Sequence, residues 1–469
     1  MDYTSTPRPR RNLELGLLIM AWILGIGAYW SVDMVMLDTL SPDFAVRQAV
    51  FVALPLIFHV VLRVRAKYAD PYILPIATLL NGLGLAMIHR LDLPFDGRDD
   101  AGRQLTWMAV SVVAAIALVV VLKDARRLQK FTYICLFASL VLLALPLLPE
   151  PIGVPINGAR LWINVGFGTF QPGEVAKITL AIFFAGYLST NRDLILLAGR
   201  RVGPLQFPRF RDMWPMLAAW FISIGVLLTQ NDLGSSILFF GLFMAMIYIA
   251  TGRISWIVIG LGLVAVGAVL AYTFFSHVTR RINAWLYAFQ PEFYNAQGGS
   301  QQIVQGLFGF ANGGLFGKGL GQGRPDIVTY ANSDMILTAF GEELGLIGTM
   351  AIVMLVVLLV TRGMRAALGT KDGFGKLLAA GLSFVVALQF FTIAGGVTRL
   401  LPLTGLTTPF MAAGGSSLLA NWLIVALLLL ISENARRPLI TGPMTDEDRD
   451  ARRKRRFWPS SQDQEADAA

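Results

Sequence analysis

From residue 13 to residue 432 the sequence returns repeatedly to apolar runs of roughly 18 to 25 residues, and this repetition leaves few folds open. Each run is the length a helix needs to cross ~30 Å of hydrocarbon. In lipid every backbone N–H and C=O must be satisfied internally, which leaves helices or closed barrels, and runs without strict alternation select helices. Read in order, the runs place about twelve spans near 13–33, 44–62, 73–91, 105–122, 132–148, 175–190, 214–229, 234–250, 254–275, 335–360, 377–396 and 414–432. A chain that is 55% hydrophobic and 15% charged is far from the balance of a soluble domain. The expected fold class is therefore all-α, a polytopic membrane bundle over 13–434. A short segment, 1–12, precedes it, and a polar tail, 435–469, expected to be disordered, follows.

The net charge of +9 would suit a nucleic-acid partner if it were gathered on one surface, but its distribution follows the loops. Of the 39 Lys and Arg, 28 fall on the side of the membrane that holds Met1 and 11 on the other. The positive-inside rule then puts both termini in the cytoplasm, and nucleic acid is excluded as a partner. Cys135 is the single cysteine and the three histidines are scattered, so neither a disulfide framework nor a cysteine zinc site is available. The opening "RPRRNLELGLLIMAWILGIGAYW" has the basic-then-apolar order of a signal peptide. Its apolar run is too long and no small-residue cleavage site follows, so it reads as a retained span. Segment 191–213, with Arg200, Arg201, Arg209 and Arg211, reads as a solvated cytoplasmic link. The long outer segments are 149–174 and 276–333, with a shorter one at 397–413.

Those outer segments hold the polar residues of interest. In "QPGEVAK" a proline and an acid open a helix, so Glu174 suits a cap and Lys177 a snorkelling cation. Equally, Glu174 and Lys177 share one helical face near Arg160, and a helix N-terminus with cations binds phosphate. Both readings stand. Asp232 in "TQNDLGSSI" reads first as a helix cap at a tight turn. The stretch 297–325 interleaves glycine with Ile, Val, Leu and Phe, as in a loop folded onto the protein, and Lys318 and Arg324 are its cations. Arg399 is a cation at the outer mouth, where the charge bias disfavours one; Ser416 lies in a small-residue stretch suited to close helix packing. In "YANSDMILTAFGEELG", Asp334 stands at the aqueous mouth of a span, and Glu342 lies about 12 Å deeper, where it and Glu343 require buried cations or polar partners. A carboxylate amid outer-face cations suits an anionic, lipid-linked substrate.

The same segments resemble the SEDS family (shape, elongation, division and sporulation). "GARLWINVGFGTFQPGEVAK" is similar to the family's Gly-x-x-Arg-Trp … Gln-Pro-Ser-Glu-x-Ala-Lys, and "NDLGSS" to its Pro-Asp-Leu-Gly. "QQIVQG" with "NGGLFGKGLGQG", then "SDMILTAFGEELGLIG", then "LLPLTGLTTPFMAAGGSSLLAN" follow in the family's order. The resemblance implies a peptidoglycan glycosyltransferase that polymerises lipid II into lipid-linked glycan outside the membrane. It also implies a class B penicillin-binding protein, a transpeptidase, as partner. The family's essential aspartate falls on Asp334, its motif Glu and Lys on Glu174 and Lys177, and its motif arginine on Arg160. Two extra spans before the usual ten, with "NGLGLAMIHRLD", resemble the actinobacterial elongation branch; the septal branch is the alternative. Asn164, Gly173, Asn231, Gln301 and Ala412–Ala413 depart from the pattern, as does "IVTYANSD", which lacks the Leu-Pro-Glu before Thr-Asp.

The implied chemistry suits these residues. A sugar hydroxyl is a poor nucleophile and needs a carboxylate base, here Asp334. The pyrophosphate leaving group needs charge neutralisation more than a strong acid, which Arg160, Lys177, Lys318 and Arg399 are candidates to supply, with Glu174, Asp232 and Ser416 in the same substrate region. A divalent cation such as Mg or Mn could share that task. A lipid II flippase is the rival reading; it needs polar groups through the whole thickness, whereas these motifs cluster at one face.

Overall fold

The apolar runs become helices in the computed structural model, which describes residues 9–438 apart from 157, 167, 198, 203, 204, 209 and 297, with only the backbone over 193–213. The segment 1–8, the tail from 439 onward and the side chains of Arg200, Arg201, Arg209 and Arg211 thus lie outside the described residues.

Four helices open the chain: α1 (Arg11–Leu37), α2 (Phe44–Arg65), α3 (Ile73–Asp92) and α4 (Asp100–Leu122). A 3-10 turn, Ala125–Phe131, leads into α5 (Thr132–Ala144). A small antiparallel sheet follows, β1 (Gly153–Ile156), β2 (Ala159–Asn164) and β3 (Thr169–Phe170), with Val154 opposite Trp162 and Ile163 opposite Phe170. Beyond it run α6 (Gly173–Leu197), the hairpin β4 (Gly199–Val202) and β5 (Leu205–Pro208), then α7 (Phe210–Thr229), α8 (Leu233–Thr251) and α9 (Ser255–Phe274). The second long segment folds as α10 (Ser276–Leu286), the single turn α11 (Pro291–Tyr294) and α12 (Gln301–Gly313). The last three helices are α13 (Ile336–Gly369), α14 (Gly373–Val397) and α15 (Gly415–Arg436).

Among the described residues ten helical stretches are long and apolar enough to cross a membrane, and the apolar part of α7, Trp214–Thr229, is shorter. α6 carries buried charge near its start in place of an unbroken apolar run. Strict alternation brings segments 149–172, 275–335 and 398–414 to one end of the bundle, called here the loop face. The helices α3, α14 and α15 form the centre and are buried almost all round, whereas α9 exposes most of its apolar side chains. An outward apolar surface of that extent suits lipid.

Charge inside the bundle is paired, as burial in an apolar medium demands. His59 Nδ1 lies 2.6 Å from Glu14 Oε1 and Arg11 donates to Glu14 at 2.7 Å, which ties α1 to α2. His89 Nε2 lies 2.7 Å from Asp33 Oδ1, with the Tyr29 ring stacked on the imidazole at 4.2 Å. At the opposite end Asp70 takes both Arg362 and Arg436.

The two glutamates inside the "AFGEELG" stretch find the partners they require. Arg90 Nε donates to Glu343 Oε1 at 2.8 Å, and Glu342 Oε1 accepts from Asn312 Nδ2 at 2.8 Å and from the Arg324 N–H at 3.1 Å. Next to them α13 is broken at Gly345, where φ is 68° and ψ −170°. The carbonyls freed by the break accept from Lys318 and Gly319 at 3.0 and 2.9 Å, and Leu346 and Ile347 donate to Gly314 and Leu315 at 2.9 and 3.1 Å. Irregular backbone is thus sheltered by protein, as a lipid environment requires. A Cβ at Gly345 would fall 2.3 Å from the Gly317 nitrogen, so only glycine fits. The glycine-rich stretch is a folded part of the bundle, as its apolar residues led us to expect.

Candidate functional site

The loop face collects polar side chains from several elements. Gly173 opens α6, and Glu174 and Lys177 follow three residues apart on its inner side. They face each other: Lys177 Nζ donates to Glu174 Oε2 at 2.5 Å and to Gln389 Oε1 of α14 at 2.9 Å. Gln389 in turn donates to the Thr407 carbonyl at 2.8 Å. Both charges are buried. The cap-and-snorkel reading of this pair is therefore replaced by a buried ion pair anchored across to α14 and the 398–414 segment.

Asp232 caps α8 in the expected way, its Oδ1 accepting the Ser235 N–H at 2.9 Å. Burial raises its pKa above the usual carboxylate range; the bonds to Ser235 and the Arg281 charge oppose this, and the Glu174 charge adds to it. Ser416, at the start of α15, accepts the Gln171 N–H on its Oγ at 2.8 Å, so this small-residue stretch also ties α15 to the entrance of α6.

Asp334 lies in a turn before α13 and is half-buried. Ser333 and Met335 both donate to the Tyr330 carbonyl, at 2.9 and 3.3 Å. Gln302 Nε2 of α12 approaches Asp334 Oδ1 at 3.4 Å. Burial pushes its pKa up to about 6, against the lowering effects of backbone hydrogen bonds, the Arg281 charge and Gln302. A carboxylate so tuned is ionised at neutral pH yet more basic than a free aspartate, which is what a general base needs.

Sequence reasoning missed Arg281. Its Nη1 donates to the carbonyls of Thr404 and Leu403 at 3.0 and 3.5 Å, and its charge acts on both Asp334 and Asp232. The start of α8 packs against the same place: a Cβ on Gly234 would lie 2.8 Å from the Thr404 oxygen. The signal was the outer-face cation pair Arg280–Arg281 in "HVTRRINAW", hidden because α10 reads as loop beside the apolar run of α9.

The other predicted cations have different surroundings. Arg160 is exposed on β2 and Lys318 is exposed in the loop after α12. Arg324 is mostly exposed and pairs with Asp326 at 3.4 Å. Arg399, with φ 60°, donates from Nε to the Trp285 carbonyl and from Nη2 to the Leu286 carbonyl, both at 2.9 Å, while Trp285 Nε1 donates back to the Arg399 carbonyl at 3.0 Å. Its guanidinium lies 5.1 Å from the centre of the Phe289 ring. It caps the C-terminal end of α10, the helix that carries Arg281. Among the described residues no group of three or more His, Cys, Asp or Glu is placed to hold a metal ion.

Comparison with known proteins bears on this arrangement. The sequence profile of the FtsW, RodA and SpoVE family, described as "cell cycle protein", matches residues 71–437. The chain is 47% identical over 440 residues to peptidoglycan glycosyltransferase RodA of Mycobacterium tuberculosis, covering 92% of this chain and 93% of the relative. A probable peptidoglycan glycosyltransferase FtsW of Trichlorobacter lovleyi is 33% identical over 386 residues, covering 80% of this chain and 96% of the relative. Among solved structures, a chain from work on a peptidoglycan synthase complex that coordinates polymerization and crosslinking aligns with TM-score 0.64 and 24% identity, over 78% of this chain and 98% of that one. At that identity the likeness concerns the fold alone.

Proposed function

The chain belongs to the FtsW, RodA and SpoVE family, and from that premise we propose that it is a RodA-type peptidoglycan glycosyltransferase, polymerising lipid II at the outer face of the cytoplasmic membrane. The observation that carries this is the 47% identity to mycobacterial RodA across 92% of the chain, against 33% to the FtsW relative. The loop face is then the outer face, in keeping with 28 basic residues on the other side against 11 on this one.

In this reading Asp334 is the base. It takes the proton from the 4-hydroxyl of the acceptor GlcNAc as that oxygen attacks the anomeric carbon of a MurNAc bearing lipid pyrophosphate. The C1–O bond to pyrophosphate breaks, and the leaving group departs as an anion without protonation. One base opposite the leaving group gives inversion, from α-linked donor to β-linked glycan. Arg160, Lys318 and Arg281 are the cations assigned to the pyrophosphates. Arg399 acts with them by fixing α10, and the pair Glu174–Lys177, with Asp232 and Ser416, builds the floor of the site. Support for the last assignments comes from burial, from the bonds that link α6 to α14 and α15, and from the Asp232 cap of α8. A class B penicillin-binding protein is the proposed partner, in keeping with the polymerisation and crosslinking complex whose chain shares this fold.

The experiment is to give purified protein lipid II and to analyse the products by gel. Glycan strands are the expected result. Movement of lipid II across vesicles without strand formation would identify a flippase and overturn the transferase reading.

A further inference from the structure

The turn that carries Asp334 includes a residue in a disfavoured conformation. Tyr330 sits at φ 59°, a region that L residues with bulky side chains avoid. Such a turn persists only when contacts from outside it hold it, and Asn332 makes two. Its Nδ2 donates to Asp100 Oδ2 at 2.9 Å, and its carbonyl accepts the Ala413 N–H at 2.7 Å. Asp100 is itself fixed at the start of α4 by Arg98, whose Nε donates to it at 2.8 Å, and by Arg103. The 412–414 stretch is bound to the same helix, because Gln104 Nε2 donates to the Ala412 carbonyl at 2.8 Å and Gln104 Oε1 accepts the Gly414 N–H at 3.1 Å. One rigid helix therefore grips the turn twice, directly through Asp100 and indirectly through Gln104. Asn332 stands in the "IVTYANSD" stretch, where the family motif is not kept.

We propose that Asn332, held between Asp100 and Ala413, is a positioning residue that sets the orientation of the Asp334 carboxylate two residues further on. The inference rests on Asp334 as the base and adds the device that aims it. Without the clamp the substrate still binds, but the base is misplaced, and a displacement of about 1 Å costs on the order of 100-fold in rate.

The test compares initial rates of lipid II polymerisation by the purified full-length chain carrying Asn332→Ala, Asn332→Asp, or the exchange Asn332→Asp with Asp100→Asn. Asn332→Asp sets two carboxylates against each other, whereas the exchange restores a donor and an acceptor with their sides reversed. Both single variants are expected to lose about 10- to 100-fold in kcat with KM for lipid II unchanged, and the exchange to recover most of the loss. Parent-like rates in the single variants would overturn the proposal. So would a loss confined to KM, or an exchange that recovers nothing. Asp334→Asn is assayed alongside. If it polymerises like the parent, the base assignment fails; if it is inactive while Asn332→Ala keeps the parent rate, the clamp alone fails.

Discussion

Lys177 Nζ lies 2.5 Å from Glu174 Oε2 inside the bundle, with both side chains buried and Gln389 as a second partner of the ammonium. Removing one partner leaves the other charge buried and unpaired, which costs about 3–5 kcal/mol, whereas removing both costs much less. Lys177→Met and Glu174→Gln are therefore each expected to lower the unfolding midpoint sharply, and the double variant to recover much of the loss. Thermal unfolding of the three purified proteins in one detergent checks this. Additive effects in the double variant would mean that the two side chains act independently.

Arg281 lowers the pKa of Asp334 and so opposes the burial that raises it to about 6. The base works only when ionised, so the polymerisation rate should fall about tenfold per pH unit below about 6. Arg281→Gln removes the cation that favours the carboxylate, so the acid limb of the pH–rate profile should move upward. A profile that stays in place would separate Arg281 from the base.

Arg399 uses its guanidinium on the last carbonyls of α10. Hydrogen bonds from a charged donor contribute about 1.5–3 kcal/mol each, and lysine cannot reproduce the fork. Both Arg399→Lys and Arg399→Ala should thus lower the unfolding midpoint, and saturating lipid II should not restore the rate. If excess lipid II restores the rate and the midpoint is unchanged, Arg399 touches phosphate directly.

The spans were legible because lipid imposes its own thickness on the sequence: the twelve runs match α1 to α9 and α13 to α15. The pairing of Glu174 with Lys177 was foreshadowed by their spacing of three on a helix. Contacts across long separations were not readable. Glu343 demanded a partner, but nothing local points to Arg90, 253 residues away. Asp100 and Asn332 are 232 apart, and nothing local points from one to the other. Arg281 was hidden for a different reason, since a short amphipathic helix after a span has the composition of a loop. Residue types were visible in the sequence, and their partners only in three dimensions.

The central claim is that Asp334 is the base of a lipid II polymerase, and Asp334→Asn tests it most directly. The substitution keeps the size of the side chain but cannot accept the proton. The sign of its effect on stability is opposite. Because burial raises the folded-state pKa from 3.8 to about 6, the ionised carboxylate weakens the fold increasingly as pH rises through that interval, and the full penalty is present at neutral pH. A neutral amide removes this penalty. Purified Asp334→Asn is expected to lose at least about 100-fold in polymerisation at pH 7.5 while its unfolding midpoint stays level or rises by about 2 °C. Glycan synthesis near the parent rate by that folded variant would contradict the assignment.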